Sequence, residues 1–247
     1  MKRGYDMKTA LVTGASRGIG KAIALKLAQN GWAVAVNCKN NVDKLQALKN
    51  EAEAMGSICE CYPGDVSDPG FVKDMFKDLG KRFGHLDLLI NNAGISKVGL
   101  FTESTDEDWR EICGVNLDSA VWCSREAAKM MLTVHSGKII NISSMWGQAG
   151  ASCEVLYSAT KGGMDSLTKA LAKELAPSDI QVNAVSCGVI DTDMNRCFSE
   201  EERAALCDEI PAGRFGKAEE VAELILNLIN GNNYLTGQII RLDGGMI

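Results

Sequence analysis

The sequence predicts an α/β fold: a doubly wound parallel sheet of about seven strands with helices on both faces. Three observations lead there. Short apolar, β-branched runs alternate regularly with segments of helical period. A glycine-rich turn joins the first such run to the first helix. Polar or glycine residues (Gly14, Asp65, Asn91, Ser144) recur at predicted strand ends, where ligands gather in sheets of this kind.

In chain order, Lys8-Thr-Ala-Leu-Val-Thr13 reads as a buried strand, followed at once by Gly14-Ala-Ser-Arg-Gly18-Ile-Gly20. Ile19, Ala22, Ile23 and Leu27 then mark one helix face, which stops at Asn30-Gly31. Strand, glycine turn and helix together form the context of a phosphate cradle, because glycines admit a pyrophosphate close to the backbone and the helix N-terminus offers free N–H groups. Residues 32–36 are a second strand, and 41–55 a helix with Val42, Leu45 and Leu48 on one side. Ser57 to Tyr62 is a third strand with Asp65 just beyond it; Phe71, Val72, Met75, Phe76 and Leu79 form the next helix face. The fourth strand, 86–90, ends in Asn91-Asn-Ala-Gly94. One long helix is expected over 105–133, before a fifth strand at 138–142. A helix running to about Ala176 is stopped by Pro177. Strands at 180–185 and 238–242 flank an irregular stretch, 188–215, with a short helix at 199–206, and a helix at 217–229. A stretch that long beside a strand end reads as a lid or binding loop.

Composition bounds the function. The 247 residues, 46% of them hydrophobic, suit one domain spanning 1–247, with a cofactor half of about 8–137 and a catalytic and substrate half of about 138–247. The balance of 26 basic against 32 acidic residues, a net charge of −6 with no basic stretch, argues against a nucleic-acid partner. No apolar run approaches the roughly 18 residues of a membrane helix, and the N-terminal residues 1–7 lack a signal segment, so a cytoplasmic location is expected. Nine cysteines without a C-x-x-C pair, and two histidines, leave little material for a metal site and suit reduced thiols.

The chemistry concentrates in residues 141–161. Tyr157 and Lys161, four apart, share one face of a helix. An ammonium beside a phenol favours phenolate, and moving a tyrosine from about 10 towards neutrality takes roughly 3–4 kcal/mol at about 1.4 per unit. Such a tyrosine can serve as a general acid or base near pH 7. Upstream, Ser143 and Ser144 end the fifth strand, and a hydroxyl at a strand tip can hydrogen-bond a substrate oxygen.

These residues resemble the short-chain dehydrogenase/reductases over nearly the whole chain. The resemblance rests on Thr13-Gly-x-x-x-Gly18-Ile-Gly20, Asn91-Asn-Ala-Gly94, Asn116, Ser144, Tyr157-x-x-x-Lys161 and Tyr234-x-Thr-Gly-Gln-x-x-x-x-Asp243-Gly-Gly245. It implies a Rossmann-like fold and a catalytic set of Asn116, Ser144, Tyr157 and Lys161. Tyr157 would donate the proton, Ser144 would bind the carbonyl oxygen, and Lys161 would hold the ribose and lower the tyrosine pKa. Asn116 would hold a water of a proton relay. Dinucleotide contacts are expected from Gly14, Ser16, Arg17, Gly18, Ile19 and Gly20, from Lys39, Asp65 and Val66, from Asn91, Ala93 and Gly94, and from Gly188, Ile190 and Thr192, besides Tyr157 and Lys161. Trp146 and Glu154 join Ser144 and Tyr157 as expected substrate contacts, and no metal is expected. Val36-Asn-Cys-Lys-Asn-Asn41 carries no acid for a ribose diol, whereas Lys39 and Arg17 suit a 2′-phosphate, so NADP(H) is preferred, with NAD(H) as the alternative.

The resemblance points to a small-molecule or carrier-bound ketone as substrate, and to a homotetramer. Among its subgroups, the 3-oxoacyl-acyl-carrier-protein reductases lead. Their basic docking positions, however, read Thr133-Val-His135 and Pro177-Ser178 here. The stretch Ser144-x-Trp-Gly-x-x-Gly-Ala-Ser-Cys-Glu-Val-Leu-Tyr-Ser158 resembles instead the reductases of a 5-aminopentanone group on elongation factor P. A hydroxysteroid or other small-ketone dehydrogenase is a further alternative, and a non-catalytic dinucleotide-binding sensor is the alternative of a different class. Cys187 stands where the family usually has proline before Gly188; with Cys153 it is either a reactive thiol at the pocket or a small apolar filler.

Overall fold

The computed structural model describes residues 7–195 and 198–247; the first six residues, part of the segment read for a signal, lie outside the described residues. The chain starts with β1 (Thr9–Val12), α1 (Gly18–Gln29), β2 (Ala33–Cys38), α2 (Val42–Ala54), β3 (Cys59–Pro63), α3 (Pro69–Phe83) and β4 (Leu88–Asn91). Next come α4 (Asp106–Cys113), a π-helical turn (Gly114–Asp118), α5 (Ser119–Leu132), β5 (Gly137–Ser144), α6 (Trp146–Ala149) and α7 (Val155–Leu175). The last part holds β6 (Ile180–Cys187), β7 (Ile190–Asp191), α8 (Glu200–Glu209), β8 (Gly216–Lys217), α9 (Ala218–Asn230) and β9 (Ile239–Leu242).

Local chemistry sets the ends of these elements. The Asp68 carboxylate accepts the Gly70 N–H at 2.8 Å, Pro69 opens α3, and Gly84 closes it at φ +77°. Reciprocal capping pairs, Thr105 with Asp108 and Ser199 with Glu202, start α4 and α8.

Seven parallel strands form one sheet in the order β3-β2-β1-β4-β5-β6-β9, and β7 with β8 makes a separate two-stranded ribbon. One face packs on α1, α2 and α9 through Ile23, Leu27, Leu45, Leu48, Val221 and Ile225. The other packs on α3, α5 and α7 through Val72, Met75, Leu79, Cys123, Ala127 and Ala172. Central strands are therefore covered on both sides: β1, β2 and β4 are buried along their whole length. Each fully buried leucine, such as Leu45 or Leu48, contributes about 1.5–3 kcal/mol of transfer free energy.

The strand order reverses between β1 and β4, so the connections leaving their carboxyl ends diverge and open a crevice there. Two differences from expectation matter. The helix expected over 105–133 is three pieces, with the π-helical turn inserted at Gly114–Asp118. The irregular stretch 188–215 contains β7 as well as α8.

Candidate active site

The crevice is a cavity of about 300 Å³ along the carboxyl ends of the strands. Its lining runs from the glycine turn (Gly14, Ser16, Arg17, Gly18, Ile19), past Lys39, Asp65 and Val66 and then Ala93 and Gly94, to Ser144, Tyr157, Lys161, Gly188, Ile190 and Thr192. The crevice thus gathers most of the residues the sequence singled out.

The turn fits a dinucleotide. Gly14 and Gly18 have φ of +63° and +55°, a region glycine enters without strain. A Cβ on Gly14 would lie 2.8 Å from Ala93 Cα, because the turn after β1 is latched to the one after β4. Thr13 Oγ1 accepts the N–H groups of Asn92 and Ala93 at 3.0 Å each, and Asn92 Nδ2 donates back to Thr13 O at 2.9 Å. The backbone cradle therefore sits open at the N-terminus of α1, as a pyrophosphate requires. Lys39 and Arg17 stand at its outer end; Lys39 pairs with Asp65 at 2.6 Å, and Arg17 lies 3.5 Å from Asp193.

At the inner end, β5 delivers Ser144 and α7 delivers Tyr157 and Lys161. The Ser144 hydroxyl stands close enough to the Tyr157 phenol to favour its ionised form. Lys161 is 4% exposed; its ammonium donates to Ile142 O at 2.7 Å and lies 5.6 Å from the Tyr157 ring centre. Burial pushes the Tyr157 phenol above its ordinary range, opposed by the Ser144 hydroxyl and reinforced by Glu154 and Cys187. Within the chain itself, desolvation of the anion is therefore the largest influence on this phenol, and the lowering by Lys161 is expected with the nicotinamide beside it. Burial pushes Lys161 down to about 8, with Cys187 and Asp165 acting the other way.

Asn116 lies in the π-helical turn and is fully buried. Its Oδ1 accepts the Ile95 N–H at 2.8 Å, and its Nδ2 donates to Ile95 O at 2.9 Å and to Thr160 Oγ1 at 3.2 Å. Its amide is thus committed to holding the loop after β4 against α7. A Cβ built on Gly94 would lie 3.5 Å from Asn116 Oδ1 and 3.6 Å from Lys161 Nζ, so Gly94 leaves the space beside both.

Four expected contacts sit elsewhere. Asn91 points away from the crevice: its Nδ2 donates to Ser124 Oγ at 2.9 Å and Asn141 Oδ1 at 2.8 Å, because it shares a strand face with Leu89 against α5. Asn92, which sequence reading passed over, lines the cavity instead. Gly20 is not in the lining either; a Cβ there would meet Asn92 Nδ2 at 2.4 Å, so this glycine serves the packing of α1 under the turn. Trp146 lies half-buried on α6 outside the lining, with its main-chain N–H donating to Ser144 Oγ at 3.2 Å. Glu154, also outside the lining, stands at the residue before α7 without a side-chain cap, its carboxylate instead accepting a hydrogen bond from Ser96 Oγ. It nonetheless acts electrostatically on Tyr157.

Cys187 lines the cavity beside Lys161, and burial pushes its thiol up to about 12. Cys153, half-buried at φ +62°, lines a second, smaller cavity with Val98, Leu100, Phe101, Val155 and Leu156. No group of metal-ligating side chains occurs among the described residues, and no described helix is long and apolar enough to cross a membrane.

Comparison with known proteins agrees with this geometry. Residues 8–203 match the family described as short chain dehydrogenase. The chain is 41% identical over 240 residues to a 3-oxoacyl-[acyl-carrier-protein] reductase FabG of Staphylococcus aureus, covering 97% of this chain and 98% of that one. A protein of the same name from Thermotoga maritima is 38% identical over 243 residues, with coverage of 97% and 98%. Among solved structures, a putative gluconate dehydrogenase from Agrobacterium tumefaciens superposes with a TM-score of 0.93 at 36% identity, covering 97% of this chain and 95% of that one. A short-chain type dehydrogenase/reductase from Mycobacterium marinum gives 0.92 at 34%, with the same coverage.

Proposed function

This chain belongs to the short-chain dehydrogenase family, and from that premise we propose that it reduces a ketone to a secondary alcohol with NADPH. The observation that carries the reading is the convergence of Ser144, Tyr157 and Lys161 at the inner end of a cavity whose outer end is a glycine cradle flanked by Arg17 and Lys39. The cofactor, when bound along that cavity, supplies the hydride. The chain's own residues handle the oxygen and the proton. Ser144 Oγ and the Tyr157 hydroxyl, which meet at the inner end of the cavity, both donate to the carbonyl oxygen. Tyr157 then gives its proton to that oxygen as negative charge develops there. Burial holds the phenol in its protonated form, as a proton donor must be. The Lys161 ammonium, fixed on Ile142 O, stabilises the phenolate that remains. In this reading Lys161 also reaches the ribose, and the Asn116 turn supports the route by which the proton is replaced.

Two substrate classes divide the reading. The relatives named 3-oxoacyl-[acyl-carrier-protein] reductase favour a carrier-bound 3-oxoacyl ketone. A second reading, an amine-bearing ketone such as a 5-aminopentanone group on elongation factor P, is favoured by one observation. Glu154, clamped by Ser96, sets a carboxylate near enough to Tyr157 to shift its proton affinity. Such a carboxylate attracts an ammonium and repels an acidic carrier, and the net charge of −6 acts in the same sense. A cytoplasmic homotetramer completes the proposal.

Specificity constants for a matched amino and methyl ketone pair and for a 3-oxoacyl thioester, at low and high salt, separate the two. On the amine reading the amino ketone wins, and Glu154→Gln narrows its advantage by about tenfold, equivalent to about 1.4 kcal/mol. On the acyl reading the thioester wins and the substitution leaves the ketone pair unchanged. No turnover of any ketone overturns the proposal as a whole.

A further inference from the structure

One buried acid plays no part in the chemistry above. Asp165 lies on α7 one turn beyond Lys161, on the face turned to the sheet, and is 5% exposed. Its Oδ1 accepts a hydrogen bond from Ser143 Oγ at 2.6 Å, and the same hydroxyl lies 3.4 Å from the Lys161 carbonyl oxygen. Ser143 is the strand neighbour of Ser144. In the β5–β6 register it faces Ser186, another buried hydroxyl. Asp165 and Ser143 thus make a buried polar contact between α7 and β5, with the Ser186 hydroxyl of β6 alongside.

The charges around it are few. Lys161 and Lys169, both on α7, act on Asp165; from β5 it meets only the neutral Ser143. Lys161 in turn is acted on first by Cys187, from β6, and then by Asp165. An ammonium that is 4% exposed and held by one main-chain oxygen is costly without a counter-charge. Asp165, one helical turn away on the same face of α7 and itself raised above the usual carboxylate range by burial, is the nearest carboxylate on that helix and acts on the ammonium through space rather than as a contact pair.

We propose that Asp165 is a positioning residue for Lys161, its buried carboxylate facing the lysine from one helical turn away and the Ser143 bridge fixing the turn of α7 that carries it. The proposal rests on the Ser144–Tyr157–Lys161 reading, whose own failure would show separately as full activity in Tyr157→Phe.

The sign of the effect follows from charge. Without the carboxylate the ammonium is less favoured, so Lys161 loses its proton at lower pH, and the activity that depends on it is lost at lower pH too. Asp165→Asn keeps the shape and an acceptor for Ser143 while removing the charge. In NADPH-dependent ketone reduction, the alkaline limb of kcat/KM should move down by about one pH unit. The rate would then be near the native value at pH 6 and about tenfold lower on the alkaline side. Asp165→Leu, which removes both charge and hydrogen bond, should show at least the same displacement. An alkaline limb that stays in place in both variants overturns the proposal. So does a loss of rate equal at every pH, which would assign Asp165 to packing alone, and so does failure of both variants to fold, which would assign it to the fold.

Discussion

Selectivity for NADPH can be worked from the outer end of the cavity. Consider the double substitution Arg17→Ala with Lys39→Ala. Both side chains line the crevice, and both are more than half exposed, at 56% and 54%. A hydrogen bond to a charged group contributes about 1.5–3 kcal/mol, and exposure to solvent argues for the lower end. Each cation also has a carboxylate nearby, Asp193 for Arg17 and Asp65 for Lys39, so part of the gain on meeting a phosphate is offset by a contact weakened. About 1–1.5 kcal/mol per residue is then reasonable, or about 2–3 kcal/mol for the pair, corresponding to roughly 30- to 150-fold in Kd. NADH lacks the 2′-phosphate and should be nearly indifferent. The assay is a fluorescence titration of each cofactor with the native and doubly substituted protein, at two ionic strengths. Native preference for NADPH should be pronounced, should shrink with salt, and should largely vanish in the variant. Equal weakening of both cofactors, or equal native affinities, would refute the assignment.

Two other expectations concern the inner end. Tyr157→Phe should lower the rate of ketone reduction by about 100- to 10,000-fold while leaving NADPH affinity within about threefold, since what is removed is a proton and not a wall of the cavity. Turnover near the native rate would sink the role given to that hydroxyl. With the Cys187 thiol pushed up to about 12, only about one part in ten thousand is thiolate at pH 8. Mass spectrometry after brief treatment with a thiol reagent should find Cys187 unmodified in the folded protein and modified once it is unfolded; rapid labelling of the native state would contradict the burial argument.

Much of this was legible in the residues because a parallel sheet buried on both faces writes its strands as apolar runs. The glycine turn, the strand tips and the Tyr157–Lys161 pair all fell where the alternation put them. The errors are local and have physical reasons. Asn91 and Asn92 are adjacent, and only the two-residue period decides which one faces the crevice. Counting from Leu89, which packs on the α5 side, would have turned Asn91 inward. Asp165 was equally within reach, one helical turn past Lys161, but nothing in the sequence says that its side of α7 is buried. The Lys39–Asp65 pair joins the ends of β2 and β3 and needs the strand order to be seen. Desolvation of the Tyr157 phenol was likewise not legible: spacing reports proximity to Lys161, whereas desolvation depends on everything packed around the ring.

The π-helical turn at Gly114–Asp118 bears on what lengths of chain this protein tolerates. Five residues per closed ring, where an α-helix uses four, means that one residue is accommodated sideways without lengthening the rod. That surplus residue rotates everything after it by roughly a quarter turn relative to an uninterrupted helix. Ile112 before the turn and Ala120, Cys123 and Ala127 after it are all buried, so the rotation is already absorbed in the packing. Deleting one residue here would let the helix rewind smoothly, which locally costs little, yet it would swing the whole of α5 out of phase with the sheet and withdraw Asn116 from Ile95 and Thr160. The segment is therefore a place where, Asn116 apart, the number of residues matters more than their identity, and a chain one residue shorter there would have to assemble its site differently.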